Sequence, residues 1–432
     1  MGEMPVLRRG RVTVSIPKMQ SYSAQARRAE GFAARLGDLG TGEHQVLNHL
    51  LRYQKASRSA IAARFSFSKT KTNSLVASLL DLGYVVEAEE GVRTAGRSAA
   101  ALSLRPDMAY VVGVDLGAAD VRVGVSDACR QVVALHESAL DVSAGPSACL
   151  KRITELVRRA LQDAAVDPQR LAAIGMGMPG PVEYGTGLLI APPIMPGWDG
   201  YAVRDHLAEE FGTEVFIDNE VNLMALGEMW SGGAAMRNAL FVKVSTGIGA
   251  GILCRGEIYR GADGAAGDIG HICADEGGPR CTCGNAGCLE AIASGSAITL
   301  QAQTAAHEGK SELLARLCRE KGALTLDDVG QAVREGDRAA VGILKESGQC
   351  IGGVLAGLVN FFNPERIVIG GSITRTGYLF LAAVRHAVYN RSLPLSTRHL
   401  AIEYSQLEGR AGVAGATILA WQELLYRPVC GD

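Results

Sequence analysis

From residue 43 the apolar positions fall into two successive patterns. Val46, Leu47, Leu50 and Leu51 recur at helical spacing and predict a core-facing helix over 43–53. A short helix at 58–64 and a turn at 65–67 follow, with Ser68 as N-cap of a third helix over 69–82. That helix would bury Val76, Leu79 and Leu80, and Gly83 would end it as a C-cap. Residues 84–92 and 99–104 read as two strands around a loop holding Arg93 and Arg97. Helix, short helix, turn, longer helix and hairpin make a winged helix-turn-helix.

After a linker turn at 105–107 the pattern changes to short buried strands with glycine turns. Strands are predicted at 110–116 and 121–126 around Gly117, a helix at 147–164 and a strand at 172–176. A second strand, glycine turn and strand occupies 239–253 and contains Gly247 and Gly249. A buried strand over 366–372 carries the paired Gly370 and Gly371, and an alanine-rich helix over 412–425 packs back on the first part. Two such hairpins, whose backbones can wrap a phosphate, predict an α/β fold of two lobes with a cleft between them, of the actin-like or ribonuclease H-like ATPase kind. The longest apolar run, 351–362, is too short and glycine-rich to span a bilayer and reads as a buried helix.

A chain of 432 residues suggests two or three domains, and 47% hydrophobic with 20% charged residues is the balance of a soluble protein. Nothing in the first 21 residues resembles a secretory leader, so the reading is a reducing, cytoplasmic compartment with no membrane segment. Charge is uneven. Residues 1–100 hold 15 Lys and Arg against 8 Asp and Glu, a net of +7, and the remainder carries −9. An anionic partner for the N-terminal part follows, with duplex DNA the first candidate. Lys69, Thr70, Lys71, Asn73 and Ser74 lie at the helix end that such motifs set against base edges, while Arg93 and Arg97 can reach phosphate or the minor groove. The alternative is a helical dimerisation module with a solvated basic face. Residues 1–42 read as a basic, partly disordered extension with a short helix at 23–39.

The stretch 261–290 concentrates chemistry. His271, Cys281, Cys283 and Cys288 place one imidazole and three thiols within eighteen residues, among glycines that permit tight turns. Four N and S donors suit structural zinc, since they complete a tetrahedron and leave no open position. Ordinary buried cysteines, or a disulfide between two of them, are the alternative.

GlyAlaAspGlyAlaAlaGlyAspIleGlyHis followed by CysThrCysGlyAsnAlaGlyCysLeuGlu resembles the signature of the ROK family, which contains bacterial sugar kinases and sugar-responsive repressors. The resemblance implies that His271 serves both zinc and sugar, and that Asn219, Glu220, Asp268 and Glu290 complete a sugar site. Asp268 stands where the family usually has Glu. The winged module is similar to that of the repressor branch, with ThrAlaGlyArgSer at 94–98 in place of ThrGlyGlyArgPro. Family likeness also points to Asp115, Gly117, Thr246, Gly247, Gly249, Gly370 and Gly371 as a nucleotide site for ATP with Mg2+.

Two departures bear on phosphate transfer. Glu220 occupies the position of the kinases' catalytic Asp, and its extra methylene shifts the carboxylate by more than about 1 Å, a displacement that can cost on the order of 100-fold. Gly117 is followed by Ala118, Ala119 and Asp120 where kinases have Gly, Thr and a basic or polar residue, which places a carboxylate beside the phosphate corner. The resulting organisation is an extension over 1–42, a winged helix-turn-helix over 43–105 and a kinase-like domain over 109–432. Its first lobe spans 109–218 plus 412–432 and its second spans 219–411. The expected function is a sugar-responsive regulator acting on a two-fold symmetric operator as a homodimer or homotetramer. The alternative is an ATP-dependent sugar kinase carrying a DNA-binding domain.

Overall fold

The computed structural model describes residues 32–94, 97–231 and 236–426. The basic extension before Phe32, and Ala95 and Gly96, lie outside them.

The N-terminal unit contains α1 (Phe32–Gly37), α2 (Thr41–Tyr53), β1 (Ala56–Ser57), α3 (Arg58–Phe65), α4 (Lys69–Asp81), β2 (Val85–Thr94) and β3 (Arg97–Leu104). Side-chain caps set the starts of α3 and α4: Ser57 accepts from the Ala60 amide, and Ser68 accepts from the Lys71 amide at 3.1 Å. Gly83, at φ +72°, follows α4 as the turn requires. Leu80 is only half-buried, and the inner face of α4 is completed by Thr72, whose hydroxyl donates back to the Ser68 carbonyl. The hairpin strands run further than their apolar pattern suggested. Arg93 pairs with Ser98 and Thr94 with Arg97, so both arginines are strand residues rather than loop residues.

The first sheet is built from β4 (Tyr110–Leu116), β5 (Asp120–Asp127), β6 (Val132–Ala139), β7 (Leu171–Met178) and β10 (Glu214–Asn219), in the order β10-β7-β4-β5-β6. It carries α5 (Pro146–Asp163), α6 (Val203–Phe211) and the small hairpin β8 (Val182–Glu183) with β9 (Leu188–Leu189). After α7 (Glu220–Ser231) the second sheet repeats the plan with β11 (Ala239–Val244), β12 (Ile248–Cys254), β13 (Glu257–Ile258), β14 (Arg366–Gly370) and β15 (Ala401–Tyr404), in the order β13-β12-β11-β14-β15. In each sheet an antiparallel hairpin is extended by parallel strands. The helices of this lobe are α8 (Leu289–Ala293), α9 (Gly295–His307), α10 (Glu312–Lys321), α11 (Leu326–Arg334), α12 (Arg338–Phe362), α13 (Tyr378–Arg391) and α14 (Pro394–Thr397).

Between the sheets α7 crosses α15 (Ala411–Leu425) in backbone contact. A Cβ on Gly415 would lie 1.7 Å from the Leu223 carbonyl oxygen, one on Gly227 2.2 Å from that of Ala411, and one on Gly175 1.9 Å from that of Ala416. No residue but glycine fits at those three points. The far end of α15 enters the N-terminal unit. Trp421 is fully buried, donates to the Asp127 carbonyl at 3.1 Å and meets the Phe32 ring edge-on. The Leu425 carbonyl receives Asn48 Nδ2 at 2.8 Å and lies 3.0 Å from His44 Nδ1. Phe32, Leu36 and Leu39, read from sequence as part of an extension, share one core with α2, β3, Val111, Ala173 and Leu424. Packing therefore runs unbroken from the first described helix into the first sheet.

Gly415→Ala is expected to destabilise the protein by about 1–3 kcal/mol or more, because the obstruction is backbone. Gly357→Ala, inside α12 with open space around the new methyl, should instead stabilise by about 0.5–1 kcal/mol. Thermal melting of the two variants beside the unaltered protein checks both signs.

Candidate ligand cleft and metal centre

A cleft of about 1040 Å³ separates the sheets, and its walls bring together both sets of residues singled out from sequence. Asn219, Glu220, Asp268, His271 and Glu290 line it together with Asp115, Gly117, Thr246, Gly247, Gly249, Gly370 and Gly371. Lys69, Thr70, Lys71, Asn73 and Ser74 are elsewhere, exposed on the first turns of α4, where the Lys71 ammonium rests 4.4 Å above the Phe67 ring.

Local bonding fixes several of these groups. Asn219 closes the end of β10: its Nδ2 donates to the Gly180 carbonyl and its Oδ1 accepts from the Val221 amide, tying α7 to the Pro179–Val182 loop. Trp198, fully buried and donating to the Val142 carbonyl, anchors the neighbouring loop that brings Ile194 to the cleft. Glu290 accepts from the Ile248 amide at 2.9 Å, and a Cβ on Gly247 would lie 2.4 Å from its Oε2, so the second glycine turn is moulded around this carboxylate. Asp268 is exposed, with no side-chain partner among the described residues.

The first glycine turn is closed by an acid. Asp120 folds over Gly117, where its Oδ1 lies 2.4 Å from an added Cβ, and pairs with Arg122, which also pairs with Glu137. Asp115, buried at 3% exposure, sits against Gly412 at the start of α15. Burial pushes its carboxyl up to about 7, with the charge of Glu220 adding and Lys243 and Arg122 opposing. Glu220, first residue of α7, is held by Lys243 Nζ at 2.5 Å from Oε1.

Two charged groups were not legible as site residues. Lys243 is a lone cation in an apolar strand, a signal that strand patterning leaves unexplained. Arg260 binds the buried Asp218 at 2.8 Å and stacks 3.7 Å over the Tyr184 ring, and Tyr184 donates to Glu423 of α15 at 2.6 Å. Burial pushes the Tyr184 phenol upward and keeps it a donor.

His271, Cys281, Cys283 and Cys288 converge, with their ligand atoms within 4.8 Å of one another. Cys283 Sγ and Cys288 Sγ are 3.6 Å apart, as are Cys281 Sγ and His271 Nδ1, and all three cysteines are free thiols. Zinc–sulfur bonds of about 2.3 Å give tetrahedral edges of about 3.8 Å, close to the two 3.6 Å separations, so the donor set suits such an ion with its other members drawn in from within 4.8 Å. Burial first, then its neighbouring thiols, pushes the Cys288 thiol up to about 12, a cost that a bound cation would remove. His271 reaches the cluster through Nδ1 and also lines the cleft, so the metal centre and ligand cleft share a wall.

The sequence profile of the ROK family matches residues 111–423. The chain belongs to the ROK family. Among ROK proteins it is 30% identical to the xylose repressor of Caldicellulosiruptor bescii over 384 residues, covering 89% of this chain and 96% of that one. It is 33% identical to the glucokinase of Halalkalibacterium halodurans over 316 residues, covering 73% of this chain and 96% of that one. The crystal structure of a ROK family transcriptional regulator, a homologue of the Escherichia coli MLC protein, superposes with a TM-score of 0.74 at 25% identity, over 89% of this chain and 96% of that chain. Among the described residues no helix is long and apolar enough to cross a membrane.

Asp115 holds a proton in the folded protein that it would release on unfolding, so its contribution to stability declines from about pH 4 and levels off above about pH 7. Asp115→Asn should remove that slope, visible as a pH-dependent difference in urea midpoint from the unaltered protein. Cobalt(II) titration should give the visible absorption of a tetrahedral thiolate site, and Cys283→Ser and Cys288→Ala should each abolish stoichiometric binding.

Proposed function

We propose that this chain is a sugar-responsive transcriptional repressor of carbohydrate uptake or catabolism genes, in which a winged helix-turn-helix is joined to a kinase-derived sugar-binding domain. The observation that carries this reading is one of coverage. The glucokinase and the xylose repressor each align over 96% of their own length, but only the repressor's match extends over 89% of this chain, into the N-terminal unit. That unit has the helix order, the capped and exposed α4 and the hairpin that a major-groove reader uses. In it, α4 would enter the groove with Lys69, Thr70, Lys71, Asn73 and Ser74 at its leading end, and the hairpin would follow the adjacent backbone with Arg93 and Arg97.

The sugar would bind through Asn219, Glu220, Asp268, His271 and Glu290. Zinc, held by His271, Cys281, Cys283 and Cys288, would supply a rigid closed clamp for the loop that presents Asp268 and His271 to the cleft. Phosphate transfer is disfavoured on the same wall: Asp120 fills the first glycine turn, and Glu220 is already engaged by Lys243. Coupling has a physical route. Closing of the lobes on a sugar would act through Arg260, which grips Asp218 and stacks on Tyr184. Tyr184 holds Glu423 near the end of α15, two residues before the carbonyl that seats α2. In a cytoplasmic homodimer or homotetramer that closing would change the spacing of two α4 helices relative to half-sites about one helical turn apart.

Selection of genomic DNA fragments by the purified protein, followed by sequencing, should enrich a two-fold symmetric site beside sugar-utilisation genes; no enrichment would defeat the reading. At that site Asn73→Ala is expected to cost about 1–3 kcal/mol and relax one base position, whereas Lys69→Ala should lower the salt slope by about 1. Tyr184→Phe should leave operator affinity intact without sugar and shrink the change that sugar produces, as read by fluorescence anisotropy.

A further inference from the structure

Lys243 stands on β11 opposite Gly249 of β12 and Gly370 of β14, so its side chain rises between two glycines that leave it unobstructed. The side chain is 13% exposed, and its ammonium donates to Glu220 Oε1. The second carboxylate oxygen of Glu220 has no hydrogen-bond partner and is sealed from solvent, although the residue lines the cleft and is itself only 7% exposed. An unpartnered buried carboxylate oxygen is costly, and because it is closed to solvent here a ligand hydroxyl can satisfy it only where the cleft wall shifts to admit one.

The chemistry of the pair is one-sided. A general base in phosphoryl transfer must be free to take the proton of the attacking hydroxyl. A carboxylate pinned at one oxygen by a tethered ammonium retains the other as an acceptor in a fixed place. We propose that Lys243 is a positioning residue of the ligand site: it locks Glu220 through Oε1 and holds Oε2 as the acceptor for one sugar hydroxyl, so the cleft reads a sugar without transferring phosphate to it. The proposal rests on the sugar reading of the cleft. The charged groups facing this pair are Asp115 on β4, with Asp120 and Arg122 on β5. Without Lys243, Arg122 is the cation left among three carboxylates, and it is already shared with Asp120 and Glu137.

The test uses the full chain with Lys243→Met, which keeps the stem and removes the charge, and Lys243→Arg, which keeps the charge. Calorimetry with D-xylose, D-glucose and N-acetyl-D-glucosamine should show the bound sugar weakened about tenfold or more by Lys243→Met and largely recovered by Lys243→Arg. Melting temperature from about pH 5 to about pH 8 supplies a readout that needs no sugar. Asp115, already pushed up by burial, loses the opposing ammonium in Lys243→Met and keeps its proton to higher pH in the folded state, so the deficit of Lys243→Met should widen as pH rises. Sugar binding by Lys243→Met within about twofold of the unaltered protein, or a melting deficit that is flat with pH, overturns the proposal. If the unaltered protein binds none of the three sugars, the sugar reading of the cleft fails and takes the ligand half of the proposal with it. The pH series still decides the ion-pair half.

Discussion

The backbone contact between α7 and α15 is the constraint on which the remaining geometry depends. Two glycines, Gly227 on α7 and Gly415 on α15, let carbonyl oxygens approach where a methyl group would collide, so the helices cross at a fixed depth and cannot slide without opening that contact, and Gly175 on β7 does the same beneath α15. Each helix begins at the cleft: α7 with Glu220, and α15 with Gly412 against the carboxyl of Asp115. One of them then leaves it, since α15 ends among Phe32, His44 and Asn48. The carboxyl of Asp115 and the seat of the N-terminal unit therefore lie at opposite ends of one continuous helix.

Electrostatics divides the cleft into two halves. Around the first glycine turn three carboxylates, Asp115, Asp120 and Glu220, face two cations, Arg122 and Lys243, so both cations are already engaged within the corner. On the opposite wall Glu290 is spent partly on supporting the second glycine turn, while the exposed Asp268 is uncommitted.

Much of this was legible in the residues because it is local. Ser68 and Gly83 bracket α4 as capping chemistry requires, β4 has the bounds its apolar run predicts, and the clustered His and Cys spacing brings four donors together. What was hidden depends on distant partners. Leu80 has the right period for the core yet the inner face closes over Thr72, and Phe32 and Leu36 look like part of a tail until Trp421 is packed beside them. Lys243 and Glu220 are 23 residues apart and Arg260 and Asp218 are 42 apart, distances over which spacing in sequence carries no signal. Alanine-rich α15 is apolar on nearly every face, so its period could not reveal that it serves two units at once.

The seat of α2 on α15 also sets an order of events at the ribosome. His44 and Leu425 are 381 residues apart, so at about 5–20 residues per second the N-terminal unit emerges roughly 20–80 s before the helix that completes its core. During that interval Leu47, Leu50 and Leu102 lack the partner that covers them, and the unit is an incomplete fold. A chain stalled or cleaved before Trp421 therefore exposes apolar surface and becomes a target for chaperones and proteases, instead of persisting as a free N-terminal unit uncoupled from the cleft.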